Sequence, residues 1–291
     1  MRGNGRMARG CERLLVATDL SARSDRALER AVALARECGA QLTVVHVVDG
    51  ELPVKIANRQ AEEAKDLTGK QLARFRSDDL RVHVKVLFGR DYEEIIRAAT
   101  EAAADLVVLG IHRNEASVEL FRGSTMERVL RLGNAPCLVV KDFPQERYRR
   151  VVVAVDFSVH SRRAVEFAAR FVPKIPLHLV HAYSVPFRGF LYGADTQQQV
   201  AKQQQDQMEQ MVEEERAAFL SSLDMDRPVL EWTVREGPVR QVIHVELERL
   251  GANLLIVGTH GRTGIAHALL GSLAEELLRR PPCDIVAVKA W

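Results

Sequence analysis

The chain repeats itself, and no other feature limits its fold as much. Leu14-Leu-Val-Ala-Thr-Asp19-Leu-Ser21 returns as Val151-Val-Val-Ala-Val-Asp156-Phe-Ser158, and the matches continue in order. An alanine-rich amphipathic stretch follows in each copy (Asp25 to Cys38; Ser161 to Phe171), then an apolar run ending near a histidine. Asp105-Leu-Val-Val-Leu-Gly110 matches Asn253-Leu-Leu-Ile-Val-Gly258, and Gly123-Ser124 matches Gly271-Ser272 at the same distance from that glycine. Pro136 to Lys141 corresponds to Pro282 to Lys289 with a small insertion. Ordered matches over most of both halves predict two homologous domains, residues 10–142 and 148–291, joined around Asp142 to Arg149. With 291 residues, 47% hydrophobic and 27% charged, the chain can build two cores.

Within each half, short continuous apolar runs alternate with helical patterns. Strands that are apolar on both faces imply parallel strands covered by helices on both sides, so each half reads as a doubly wound α/β domain. The expected strand cores are Leu14–Thr18, Leu42–Val48, Val82–Leu87, Leu106–Leu109 and Leu138–Val140. In the second copy they are Val151–Val155, Leu177–His181, Val229–Val234, Leu254–Val257 and Ile285–Val288. The copies differ most at Gln197 to Leu223, a polar, glutamine-rich, helix-favouring stretch with an apolar stripe of Met208, Met211, Val212, Phe219 and Leu220. It reads as a crossover helix; packing on the other domain or on a second chain is the alternative.

Charge gives no signal for nucleic acid as a partner. With 41 basic and 39 acidic residues the net charge is +2, which gives no field to hold a nucleic acid. The basic start runs into the strand-like Leu14 to Thr18, so no signal peptide is read there, and no apolar run is long enough to predict membrane insertion. Cys11, Cys38, Cys137 and Cys283 lack any CxxC spacing, which predicts neither a disulfide framework nor a zinc knuckle and fits a reducing cytoplasm. Cys137 and Cys283 are expected as buried strand-entry residues.

Ligands of open parallel sheets bind beyond the carboxyl ends of the strands, where helix N-termini and loops converge. There the second half carries Gly258-Thr-His-Gly261-Arg-Thr-Gly264, running on to Gly271-Ser272 and an expected helix start. Gly258 and Gly261 would admit an anion close to the backbone and could adopt positive φ; Ser272 and the following N–H groups would face phosphate oxygens, with His260 and Arg262 as side-chain donors. The alternative is a plain connection in which Ser272 only caps a helix. Asp156, with Ser158 positioning it, could accept from an adenine amino group or a ribose hydroxyl, or the pair could only cap a helix. His112 and His260 hold equivalent places, as phosphate or metal contacts or as loop residues. His46 and His181 read as structural.

Gly258-x2-Gly261-x9-Gly271-Ser272 together with Val-Ala-Val-Asp156 resembles the nucleotide-binding branch of the universal stress protein family, and both halves resemble that family over nearly the whole chain. The resemblance implies two five-stranded parallel sheets of order 3-2-1-4-5, bound ATP, possible accompanying Mg, and frequent dimerisation through the last strand. It implies that Asp156 and the backbone of Val180, His181 and Ala182 meet adenine and ribose, and that Gly258, Gly261, Gly271 and Ser272 meet phosphates and ribose. Tandem copies could also pair with each other, and a homodimer is the other expectation for assembly. In the first half Arg113 stands where Gly261 stands in the second, with Asn114-Glu115 after it, so a degenerate first site is expected.

No phosphate-loop lysine motif, HExxH, GxSxG or magnesium-holding aspartate cluster is present, so neither catalytic nor metal residues are assigned. The favoured expectation is an ATP-binding stress or regulatory protein. A slow ATP hydrolase, or a nucleotide-independent scaffold for protein, lipid or RNA, are the alternatives.

Overall fold

The computed structural model describes residues 11–75, 80–111, 123–184, 194–225, 229–261 and 270–289, with the side chains of its longest helix described from residue 206 onward. The first half runs β1 (Arg13–Ala17), α1 (Ala22–Cys38), β2 (Gln41–Asp49), α2 (Val54–Ala73), β3 (Arg81–Gly89), α3 (Asp91–Glu101), β4 (Leu106–Gly110), α4 (Thr125–Leu132) and β5 (Cys137–Val140). The second runs β6 (Val151–Ala154), α5 (Val159–Phe171), β7 (Leu177–Tyr183), α6 (Ala194–Ser222), β8 (Leu230–Glu236), α7 (Val239–Leu250), β9 (Leu254–Gly258), α8 (Ser272–Arg279) and β10 (Asp284–Val288). Strand order is β3-β2-β1-β4-β5 and β8-β7-β6-β9-β10, the expected 3-2-1-4-5 twice. Thr18 and Val155, expected as the ends of the first strands, lie one residue past them, yet their N–H groups still donate to Val45 and Val180 carbonyls.

The apolar runs are continuous because both sheet faces are covered. Leu14 and Val16 join one core with α1 and α5, while Leu15 joins the other with α3, α4, α7 and α8. Successive strand residues point to opposite faces, so each strand needs apolar side chains at every position.

The two sheets are one. β5 and β10 pair antiparallel, with Val139 opposite Ile285, Leu138 opposite Val286 and Cys137 opposite Ala287. β4 places Cys137 beside Val107, and β9 places Ile285 beside Leu255. Since Val107 and Leu255 are repeat equivalents, so are Cys137 and Ile285, and Leu138 faces its own counterpart Val286. A pseudo-twofold axis passes through that pair, so the contact is isologous within one chain. The extra residues of the second copy therefore precede the strand. Cys137 opens β5 fully buried, whereas Cys283 sits half-buried just before β10; burial pushes both thiols up to about 12.

The connection between the halves is anchored. Tyr148, buried, donates its hydroxyl to Asp284 Oδ2 at 2.6 Å, Arg30 Nε lies 3.1 Å from the same oxygen, and the Lys141 N–H donates to Oδ1 at 2.9 Å. Lys289 Nζ donates to the carbonyls of Arg131 and Gly133 across the boundary. Among the described residues, no helix is long and apolar enough to cross a membrane.

Candidate functional site

In each half the chain order reverses between its first and fourth strands, so a crevice opens past their carboxyl ends. Beyond β6 the backbone turns through Phe157 at φ 62°, as its counterpart Leu20 does at φ 61° in the first half. The left-handed turn brings Ser158 round to cap α5, its Oγ accepting from the Ser161 N–H at 3.2 Å. Asp156 Oδ1 accepts from the Ser158 N–H at 3.0 Å and from its hydroxyl at 2.5 Å. The capping reading of Asp156-Phe-Ser158 therefore holds for Ser158. Asp156 is fixed by the turn, and its Oδ2 lies 3.0 Å from where a Cβ on Gly261 would stand.

Val180, His181 and Ala182 close β7 beside it. His181, 8% exposed, donates from Nδ1 to the Val155 carbonyl at 2.8 Å, as His46 does to the Thr18 carbonyl at 2.9 Å. Both are satisfied histidines that tie the first two strands together, the structural reading.

The glycines past β9 divide the work. A Cβ on Gly258 would lie 3.0 Å from the carbonyl carbon and Cβ of His160, so this glycine lets β9 approach the start of α5. Neither Gly258 nor Gly261 has positive φ, contrary to expectation; close approach of backbone requires Gly258, whereas the neighbour of Gly261 is the end of the Asp156 side chain. His260 Nδ1 lies 3.0 Å from Thr259 Oγ1, while its Nε2 is buried with no hydrogen-bond partner. Its ring stands 4.9 Å from that of His160, whose Nδ1 is also buried and unpartnered. Burial first, and the neighbouring His260 second, hold His160 below the ordinary imidazole range. Arg262 lies outside the described residues, as do His112, Arg113 and Asn114-Glu115, so the expected obstruction of the first site does too.

These elements enclose a cavity of about 630 Å³. Asp156, Val180, His181, Ala182, Gly258, His260, Gly261, Gly271 and Ser272 all line it; Ser158 stands behind Asp156 and does not. The opposite wall was not anticipated as part of the site: Met208, Met211, Val212 and Glu215 of α6, with Tyr183, Val239, Leu270 and Leu273. The apolar stripe on α6 was legible, but its direction toward the ligand crevice was not.

The two copies differ at the helix that faces the cavity. In the first, Ser124 caps α4 by accepting from the Glu127 N–H, and Glu127 Oε2 accepts from the Gly123 N–H, so side chains satisfy the helix start. In the second, the N-cap residue is Gly271, which has no side chain to cap α8 with; Ser272 is already helical, which removes the capping role considered for it. The first cavity is also smaller, about 240 Å³, and Asp91, hydrogen-bonded to Thr125, stands in it where the second has Val239 and Leu273. Uncapped N–H groups beside glycines suit an anion, and a carboxylate beside strand-end carbonyls suits amino or hydroxyl donors. Only the second cavity combines them among the described residues.

Known proteins are similar in sequence and in fold. Universal stress protein E of Escherichia coli (strain K12) is 25% identical over 223 residues, covering 72% of this chain and 68% of that protein. Universal stress protein E of Photorhabdus laumondii is 24% identical over a 303-residue alignment that covers 96% and 95%. The crystal structure of a universal stress protein from Archaeoglobus fulgidus matches in fold, with a TM-score of 0.67 at 20% identity over 95% of this chain and 98% of that one. The family model described as the universal stress protein family matches residues 10–141 and again 147–289. The chain therefore belongs to the universal stress protein family, with two such domains in tandem.

Proposed function

We propose that the second domain binds ATP or a related adenine nucleotide, accompanied by Mg where the phosphates require it, and that the protein acts as a stress-response or regulatory factor through nucleotide-dependent conformation or partner binding. One observation carries this reading. Nine residues singled out from two distant segments and a strand end line a single cavity, with Gly261 against Asp156 and an uncapped helix start beside them. In that arrangement Asp156 and the strand-end backbone would hold adenine and ribose, and the Gly261, Gly271 and Ser272 region would hold phosphates. The first domain, with its smaller cavity, side-chain-capped helix and Asp91, serves a structural role. Four free cysteines fit a reducing cytoplasm.

Gentle purification, denaturation and mass spectrometry of the released small molecules test this, with Gly261→Arg run beside the native sequence. The expected result is adenine nucleotide released from the native chain and absent from the variant. Added ATP at about a hundred times its Kd should stabilise the native chain by about 2.7 kcal/mol and the variant by nothing. An empty native chain whose melting temperature ATP does not move would reject the reading and leave the nucleotide-independent scaffold. Sustained phosphate release above background, lost in Gly261→Arg, would add slow hydrolysis.

A further inference from the structure

The joint between the domains is filled on one flank and open on the other. On the filled flank the Arg30 guanidinium lies 4.4 Å over the Tyr148 ring, and both groups meet the Asp284 carboxylate. The pseudo-twofold axis carries Tyr148, Arg30 and Asp284 onto Cys11, Phe167 and Pro136. A thiol in the place of a phenol and a proline in the place of an aspartate leave a cavity of about 660 Å³ there, with Phe167 and Phe171 stacked 5.4 Å apart on its α5 wall. Its size and its place between two domains are those of a small-molecule site. Four charged side chains line it, and three are already matched. Asp105 accepts from the N–H groups of Glu12 and Arg13 at 2.8 Å and lies 3.5 Å from the Arg13 guanidinium. Lys289 donates to the carbonyls of Arg131 and Gly133, and Arg163 lies 3.2 Å from Glu166. Arg170 is left over: among the described residues it has no hydrogen bond or ion pair. Burial, with Cys38 and Asp105, pushes the Cys11 thiol up to about 12, and the Arg170 charge acts against them, which puts the guanidinium on the Cys11 side of α5. A cation suits the last turn of a helix. The helix dipole does not account for an apolar cavity beside it.

We propose that this cavity binds a small aromatic monocarboxylate. Its ring packs on Phe167 and Phe171 in the space that Cys11 leaves, and its carboxylate pairs with Arg170. The ligand thereby restores the ring, carboxylate and guanidinium that the other flank builds from Tyr148, Asp284 and Arg30. The planar fork of a guanidinium matches a carboxylate through two parallel N–H bonds. One unmatched cation selects a single negative charge. The carboxyl ends of α3 and α4 also border the cavity, at Ala103 and Gly133, and their carbonyls disfavour the second charge of a phosphate. This cavity shares no lining residue with the one proposed for nucleotide, although α5 borders both, so either reading can fail alone.

Calorimetric titration of the full chain with naphthylacetate, naphthylacetamide and naphthylethylamine compares one shape in three charge states. The carboxylate is expected to bind about tenfold more tightly than the amide, and the amine to bind more weakly still. Arg170→Gln should lower the affinity for naphthylacetate about tenfold, to that of the amide, and leave the amide where it was. Arg170→Lys keeps the charge without the fork and should fall between. Thr100→Trp, at a lining position on α3, should fill part of the cavity and weaken carboxylate and amide alike. Arg170 and Thr100 are both exposed, so the variants are expected to melt with the native chain; if Thr100→Trp does not fold, Arg170→Gln decides alone. No binding of naphthylacetate, equal affinity for the carboxylate and the amide, or an Arg170→Gln chain that binds as the native one does would overturn the proposal. Naphthyl phosphate that bound more tightly than the carboxylate would overturn the single charge. Displacement of naphthylacetate by ATP, with Arg170→Gln lacking effect, would put the probe in the other cavity and overturn the assignment to this one.

Discussion

A methyl group on Gly258 would stand 3.0 Å from the His160 carbonyl carbon, and one on Gly110 would stand 2.9 Å from the Arg23 carbonyl oxygen. Both obstacles are the backbone at the start of the helix packed on the strand, which cannot swing aside as a side chain can. Gly258→Ala and Gly110→Ala should therefore destabilise the chain by similar amounts, about 1–3 kcal/mol each, as overpacking does. Urea unfolding of the two variants measures this. A Gly258→Ala protein of unchanged stability that had lost its ligand would show that the glycine serves the ligand instead. Gly261 is different, since its neighbour is the Asp156 carboxylate inside the cavity. The sequence marks Gly258 and Gly261 by their spacing and pairs Gly110 with the first of them. It cannot say which glycine faces a helix and which a ligand, because that depends on the depth of each loop below the sheet edge.

At the scale of elements, α2 and α6 occupy the same place in the repeat and do opposite things. Ala61 is 4% exposed beneath α2. Ala61→Met should push the helix outward and destabilise the chain by about 1–3 kcal/mol, while Met211→Ala on the half-exposed face of α6 should change stability by no more than about 0.5 kcal/mol. Chemical unfolding midpoints check both, and a neutral Ala61→Met would mean that α2 is not held close by its small residues. The strands were legible in the sequence because two-sided burial demands unbroken apolar runs, and the existence of α6 was legible from its composition. Its role was hidden. An apolar stripe says which face is inward but not how far off the sheet the helix sits, and Phe219 settles that by packing on Phe157 in the turn after β6 and on Trp232 of β8. The start of α8 was hidden too: Gly-Ser recurs in both copies, yet Ser124 caps its helix and Ser272 does not.

In the whole molecule the duplication produces a joint that is symmetric in backbone and asymmetric in side chains. Through the pseudo-twofold axis Arg30 corresponds to Phe167, Asp284 to Pro136 and Tyr148 to Cys11, so the buried ionic cluster of one flank has no counterpart in the other, where those three residues line a cavity of about 660 Å³ together with Arg163 and Arg170. Arg30, Tyr148 and Asp284 are all buried, at 6%, 3% and 5% exposure. Removing one member of a buried ion pair leaves the other charged and unpaired, so Asp284→Val alone should cost about 3–5 kcal/mol, whereas replacing the whole set by apolar groups is often neutral or stabilising. The combined variant Arg30→Leu, Tyr148→Phe and Asp284→Val removes the whole set at once and should recover most of that loss. Acidity supplies an independent readout. Burial raises the Asp284 carboxyl above the ordinary carboxylate range despite bonds from Tyr148, the Lys141 N–H and Arg30. The folded chain then holds that proton more tightly than the unfolded one, so the residue's contribution to stability falls as pH rises from the ordinary carboxylate range through the raised value. Stability measured across that window should slope downward less steeply with rising pH in the combined variant than in the native chain. Equal slopes, together with a combined variant no more stable than Asp284→Val, would mean that the joint depends on the ionic cluster itself rather than on filling the space it occupies.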